Sequence, residues 1–428
     1  MRPLLAKSAL ALSSSVAFAL FLGFTAYSGG LTLRAQDAKG DAKGGAAKAK
    51  GKGPVDTLGE GPWDLKSEVQ NIHVSVVTKG LDHPWGMVFL PNGDMLVTER
   101  PGRLRVVRKG VLDPTPIAGL PDIRALSLGG LMDVALHPNY ARNNLIYFTY
   151  SKPGYEDKGK AMLAVGRAKW DGGPAISEFK DIYLADAWGG QGSAKGCCGQ
   201  GPSDASYGSR IVFDRAGLLY VTSGDRNFGE KAQDPSTDIG KILRLKEDGT
   251  VPTDNPFVGK AGYKPSIYTL GNRNPLGLTV HPVTGEIWES EFGPRGGDEV
   301  NRIQAGKNYG WLKVTRGEHY NAEPSLKTNT AEGMVDAVLF WVPSINPGNI
   351  AFYNGDKFPD WRGSLLMGTM TKSVMRATFD AQGNPTGQER FLTELNQRFR
   401  DTRVGPDGLV YILTDETFGA ILKLEPGK

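Results

Sequence analysis

Six times between residues 92 and 414 the chain repeats one local pattern: a turn built on glycine, asparagine or aspartate, then a short run of apolar and β-branched residues. Asn92-Gly93-Asp94-Met95-Leu96-Val97-Thr98 is the first copy and Asp407-Gly408-Leu409-Val410-Tyr411-Ile412-Leu413-Thr414 the last; the others start at Asn144, Ala216, Gly285 and Gly363. Such runs, bounded by turn residues, read as strands. Four copies have a further strand close behind, at 102–107, 240–245, 374–379 and 420–424. Four are preceded by a strand that ends near His-Pro, Pro-Asn-Gly or Pro-Asp-Gly, at 86–91, 134–138, 278–282 and 404–406. No long segment carries the 3.6-residue period of an amphipathic helix. One such sheet cannot bury both of its faces alone, so the copies must stack on one another. The fold expected is therefore all-β: a six-bladed β-propeller of four-stranded antiparallel blades.

The propeller is expected over 67–428. Residues 1–36 hold Arg2 and Lys7 and then a mostly apolar run over 9–27, which reads as a secretory signal peptide. The run approaches membrane-spanning length, so an uncleaved N-terminal anchor is the alternative, and the only membrane contact expected. Residues 37–66, rich in Lys, Ala and Gly at their start, read as a flexible linker. A signal peptide implies a periplasmic or secreted protein. The net charge of +4 belongs to the leader and linker: residues 1–54 carry eight Lys or Arg and two Asp, leaving 42 basic against 44 acidic residues beyond them. A near-neutral folded part argues against nucleic acid as a partner. The two cysteines, Cys197 and Cys198, are adjacent. They cannot form a disulfide framework and read as a vicinal disulfide or a pair of thiols.

Propellers bind ligands at the mouth of the central channel, on loops held by rigid blades. The long loops at 151–160, 188–206, 225–238 and 315–340 are expected to build that site. The densest local chemistry lies in 291–311, where Asp298 and Glu299 follow a loop containing Gly293, Pro294, Gly296 and Gly297. Glycines let backbone carbonyls approach an ion closely. Carboxylate and carbonyl oxygens together suit a hard cation such as calcium. A glycine-rich turn with solvated charges is the other reading.

Several runs extend this picture across the whole folded region: Leu81-Asp82-His83-Pro84-Trp85-Gly86, Leu96-Val97-Thr98-Glu99-Arg100, the stretch from Gly129 to Pro138, Ile267-Tyr268-Thr269-Leu270-Gly271-Asn272-Arg273-Asn274-Pro275, Trp361-Arg362-Gly363 and Arg398-Phe399-Arg400-Asp401. With these in order, the chain resembles the soluble pyrroloquinoline quinone (PQQ)-dependent glucose and aldose sugar dehydrogenases, the glucose/sorbosone dehydrogenase family. The resemblance implies a six-bladed propeller that binds PQQ and calcium, oxidises a sugar or polyol hydroxyl and passes electrons to an external quinone or cytochrome. It implies cofactor contacts at Arg273, Asn274, Arg398 and Arg400, and calcium held by the carbonyls of Gly293 and Pro294. It also implies a second calcium held by Glu299 and the Tyr309 carbonyl.

The sequence departs from the family pattern at the chemistry. The family's catalytic base is a His just before a glycine-rich strand, and that position is Ser206 here. A serine of ordinary acidity is no general base near neutral pH. Asp204 and Tyr207 flank the position, and Asp204 is a candidate replacement. The family glutamine before the Gly-Leu run falls on Leu128, and its lysine falls near Thr371, with Lys372 one place off. His83, His137 and His281, each followed by Pro, are expected to cap turns. The leading expectation is thus an exported calcium- and PQQ-dependent sugar dehydrogenase acting through Arg273 with Asp204, Ser206 or Tyr207. The alternative is a non-catalytic carbohydrate- or protein-binding propeller that has lost its His. A calcium-dependent lactonase is a third option.

Overall fold

The computed structural model describes residues 55–156, 159–190, 204–321 and 331–428. The leader, most of the linker and the Cys197–Cys198 pair lie outside the described residues. Six antiparallel sheets follow one another around a ring. The innermost strands are Pro84–Phe89, Leu131–Leu136, Gly208–Phe213, Pro275–Val280, Pro347–Phe352 and Phe399–Val404. Each packs against the next, and the last packs against the first, so the propeller is closed. The six repeats read from the sequence are the second strands: Met95–Glu99, Leu145–Pro153, Leu219–Ser223, Ile287–Glu291, Leu365–Thr369 and Val410–Thr414. Among the described residues helix is confined to one turn, Tyr140–Asn143, and three 3-10 turns.

Apolar residues on both faces of every blade dictate this arrangement. Six of the seven apolar clusters among the described residues fill the seams between neighbouring blades, one for each seam. Leu96 and Leu104 of the first blade meet Ile146 and Phe148 of the second, and Tyr147 and Leu163 meet Val221 and Leu243 of the third. Tyr220 and Ile242 meet Leu278 and Ile303, and Trp288 and Val300 meet Ile350 and Met375. Leu366 and Val374 meet Ile412 and Leu422, and Leu413 and Ile421 meet Met87 and Val97 to complete the circuit. A seam filled from both sides explains why the second strands are buried along most of their length.

Polar side chains add a second staple near the axis. The third residue of an inner strand accepts the backbone N–H of the fourth residue of its neighbour. Asp133 accepts from Ile211 at 3.0 Å, Asp401 from Met87 at 2.8 Å and Asn349 from Leu278 at 3.0 Å.

Ring closure differs from the sequence expectation in one respect. The sixth blade is five-stranded and takes its outer strands from the N-terminus: Asn71–Leu81 pairs with Gly419–Pro426, and Trp63–Lys66 pairs with Asn71–Leu81. Residues 63–66, assigned to the linker, are therefore part of the blade, with Leu58 buried in the same core. The second blade carries an additional two-residue strand, Gly189–Gly190.

Candidate active site

Residues at or beside the starts of the inner strands gather at one end of the channel, with Arg100, Phe292 and Met370 just past three of the second strands. They enclose a pocket of about 540 Å3 to which all six blades contribute. Trp85, Met132, Leu276, Phe292 and Met370 give it apolar walls, and Arg273, Arg398, Arg400 and Arg100 give it positive charge. Backbone conformations that side chains seldom adopt gather around it: φ is 45° at His83, 49° at Ser206, 52° at Arg226, 63° at Asn227 and 50° at Asn346. Such outliers persist only where surrounding contacts fix them, and they concentrate at functional sites.

Three of the arginines are held from behind. Arg273 is buried, donates from Nη1 to the Phe292 carbonyl at 2.9 Å and lies 5.2 Å from the Trp311 ring centre. Its backbone N–H donates to Glu291. Asn274 accepts the Gly208 N–H at 3.1 Å, joining the third and fourth blades at the pocket wall. Arg400 is buried and Arg398 half-exposed, and both pair with Asp415, at 2.5 and 3.2 Å. Burial opposes charge on Asp415, but Arg400, His83 and Arg398 outweigh it and hold its carboxyl well below the usual range. Arg100 lies within electrostatic reach of Arg398, Arg400 and Asp415 and makes no ion pair among the described residues. Three guanidinium groups against one carboxylate leave this side of the pocket positive, which suits a ligand with several carboxylates.

A second void, about 10 Å3, adjoins the first and is lined by Arg273, Glu291, Gly293, Glu299, Tyr309 and Trp311. That is room for one water or ion. Glu291 and Glu299 face each other across paired strands, and Glu289 lies two residues along from Glu291. Burial raises all three carboxyls, Glu299 to about 7, Glu289 to about 8 and Glu291 well above the usual range, with repulsion from Glu299 adding at Glu289 and from Glu289 and Glu299 adding at Glu291. Glu289 Oε2 has no hydrogen-bond partner among the described residues. An acidic, desolvated cluster with an orphaned oxygen fits a bound cation. No three acidic, His or Cys groups converge tightly enough to cage one alone among the described residues, so carbonyls would complete the set, as calcium allows. Gly293 can supply one because its backbone nests closely: an added Cβ would lie 2.1 Å from the Gly296 carbonyl oxygen. Asp298 is not part of this cluster. It is consumed by the N–H groups of Gly293, Ile345 and Asn346 and by the Ser344 hydroxyl, and so fixes the loop.

The sequence-predicted residues thus divide. Arg273, Asn274, Arg398, Arg400, Gly293, Ser206 and Tyr207 line the main pocket, while Glu299 and Tyr309 line the smaller void beside Gly293. Pro294 lies behind, its carbonyl accepting the Tyr320 hydroxyl at 2.8 Å. Lys372 does not line the pocket: it sits on an exposed turn with φ 68° and donates to Asn396 at 2.9 Å. Asp204 does not turn inward either. It is buried against Arg124, at 3.1 Å, and accepts the Tyr207 hydroxyl at 3.2 Å. Burial pushes Tyr207 up to about 12, with Arg226 opposing from 3.7 Å above its ring. His137 and His281 accept turn N–H groups as expected, whereas His83, with φ 45°, pairs with Asp415 at 3.0 Å. The 151–160 loop contributes no described lining residue, since proximity to the axis matters more than loop length. Arg100, Asp225 and Asp415 were not predicted. All three lie one or two residues past a second strand, the register that also carries Phe292 and Met370.

The comparisons with known proteins agree with this geometry. The family model for glucose/sorbosone dehydrogenases matches residues 81–423. The chain belongs to the glucose/sorbosone dehydrogenase family. It is 38% identical over 378 residues to the aldose sugar dehydrogenase YliI of Escherichia coli, covering 87% of this chain and 97% of that one. A crystal structure of the apo form of the soluble E. coli aldose sugar dehydrogenase superposes with a TM-score of 0.76 at 38% identity, over 83% of this chain and all of the other. The PQQ-bound aldose sugar dehydrogenase of Streptomyces coelicolor gives a TM-score of 0.66 at 25% identity, over 83% and 98%. Family membership makes the chain an oxidoreductase, a sugar dehydrogenase, and the reading as a non-catalytic binding propeller is not favoured.

Proposed function

We propose that the protein is an exported, calcium- and PQQ-dependent dehydrogenase that oxidises a hydroxyl of an aldose or related polyol and hands electrons to an external quinone or cytochrome. The observation that carries this reading is the convergence of Arg273, Asn274, Arg398 and Arg400 on one axial pocket beside the acidic void at Glu291 and Glu299. PQQ is a planar tricarboxylate, and when bound it supplies a hydride acceptor. Arg398 and Arg400, with Arg100 beside them, would neutralise its carboxylates, and Trp85 and Met370 would exclude water from its faces. Arg273, fixed by Phe292 and Trp311, would hold positive charge where negative charge grows on the acceptor. The Gly293 and Pro294 carbonyls would hold one calcium, and Glu299 with the Tyr309 carbonyl a second, each supplying positive charge beside the cofactor. Export rests on the 1–36 segment alone.

Titrating metal-free protein with PQQ, with and without calcium, tests the assignment. Quinone absorbance should saturate at one equivalent only with calcium, and dye reduction should then follow addition of aldoses. No change in quinone absorbance and no dye reduction would refute it.

A further inference from the structure

We propose that Tyr320 is a positioning residue for the cation on the cofactor side of the site. Its hydroxyl aims the Pro294 carbonyl, and residues 315–320 form a strap that keeps the loop from Gly293 to Gly297 in the shape that presents its oxygens. The inference deepens the calcium- and PQQ-dependent reading and rests on it.

The loop needs outside support to hold one shape. Gly296 and Gly297 are consecutive left-handed residues, with φ 79° and 72°, and glycine leaves such a conformation easily. Asp298 fixes one end by accepting the Gly293 N–H at 2.8 Å. The strap fixes the outer side. Arg295 and Glu318 exchange backbone hydrogen bonds, both 3.1 Å. Gly317 packs so closely on the loop that a Cβ there would lie 2.2 Å from the Gly296 oxygen and 2.9 Å from Pro294 Cδ. A Cβ on Gly297 would in turn lie 2.5 Å from the Gly317 nitrogen. Two stretches of glycine backbone are thus interlocked.

Tyr320 closes the strap. Its hydroxyl donates to the Pro294 carbonyl at 2.8 Å. Arg295 lies 5.5 Å from the Tyr320 ring centre and donates to the Tyr320 carbonyl at 3.4 Å. A backbone carbonyl oxygen has two lone pairs. One bond from Tyr320 therefore orients the Pro294 oxygen and leaves a lone pair for a cation, which takes carbonyl ligands readily when it is calcium.

The strap touches both voids. Tyr320 lines the main pocket and Thr315 lines the smaller one. Between them Arg316 pairs with Asp336 at 2.6 Å and lies 3.9 Å from the Phe340 ring centre, which moors the strap to the outer strand Leu339–Trp341. Tyr320 itself is exposed and adds nothing to the core. Its effect should fall on cation affinity rather than on folding. Outer groups that orient a metal ligand change metal affinity by about 10- to 100-fold.

Tyr320→Phe keeps the ring and deletes only the hydroxyl, and two calcium readouts separate the two cation positions. The calcium concentration that gives half-maximal quinone absorbance at fixed PQQ reads the Gly293 and Pro294 carbonyls, and it should rise about tenfold. The rise in melting temperature that calcium produces without PQQ reads the Glu299 position and should stay as in wild type, as should melting in chelator. Excess calcium should restore the full absorbance change. Gly317→Ala, which pushes the strap off the loop, should raise the calcium requirement at least as much. A wild-type calcium requirement in Tyr320→Phe overturns the proposal. So does a lower melting temperature of that variant in chelator, which would make the hydroxyl a structural tie only. Quinone binding by the unaltered protein that is absent, or indifferent to calcium, would instead overturn the calcium- and PQQ-dependent reading and this role with it.

Discussion

Replacing Arg210 by Met should destabilise the whole ring and loosen the pocket floor. Arg210 is fully buried at the axis, where it stacks 4.1 Å from the Trp85 ring centre. It donates to the Leu276 carbonyl at 2.7 Å, to the Arg400 carbonyl at 3.1 Å and to Asp133 at 3.1 Å, with Asp401 at 3.6 Å. Arg403 pairs with the same two carboxylates at 3.2 and 3.1 Å. Two cations therefore balance two anions, and removing Arg210 leaves one negative charge buried and uncompensated. Breaking a buried pair in this way costs about 3 to 5 kcal/mol. At about 2.1 cal/mol/K for each of roughly 370 residues, the melting temperature should fall by about 4 to 6 °C. Burial already raises Asp133, and losing Arg210 raises it further. A carboxyl raised in the folded state favours folding below its unfolded value near 3.9, and that contribution fades as pH climbs through the folded value. The deficit of the variant should hence be smaller at pH 5 than at pH 8. Scanning calorimetry at both values measures it. Adding Asp133→Asn should recover the charge part of the loss and leave the part due to the two carbonyls. Equal melting of wild type and Arg210→Met, or a deficit independent of pH, would refute the charge accounting.

Three other outcomes follow from the same structure. Lys372→Ala should leave PQQ affinity and kcat unchanged, because the side chain is exposed and bonded to Asn396; a tenfold change in a quinone titration would restore it to the site. Arg400→Ala should weaken PQQ binding by about 10- to 100-fold, the worth of one or two hydrogen bonds to a charged group. Arg398→Ala should cost less, since its side chain is half-exposed. Glu299→Gln should abolish the rise in melting temperature produced by calcium, a stabilisation of about 2.7 kcal/mol at a hundredfold excess over Kd, and calorimetry with calcium against chelator reads it directly.

The second strands were legible because turn residues bracket a run that is apolar on both faces, and burial on both faces is what a propeller seam demands. The outer strands, such as Ser177–Leu184 and Pro385–Phe391, are mostly exposed and carry no such signature. Arg398 and Arg400 were legible as residues two apart on a strand, which share a face. Asp415 was not, since its meaning comes from sitting one residue past a second strand, beside a different strand of the same blade. Lys372 was misread because a shift of one residue at a tight turn reverses where a side chain points. Ser206 was read as the gap in the chemistry from its place before a strand, but Arg226 and Asn227, which hold it, lie 20 and 21 residues away and reach it only when two strands of the third blade pair. The least local feature is the closure of the ring, which pairs residues about 350 positions apart. That closure also bears on the site. Asn71–Leu81 holds Gly419–Pro426, which holds Val410–Thr414, and the next residue is the Asp415 that restrains Arg398 and Arg400. The N-terminal strand is thus mechanically in series with the positive wall of the pocket, so fraying at the seam would loosen the Asp415 contacts that hold Arg398 and Arg400 together.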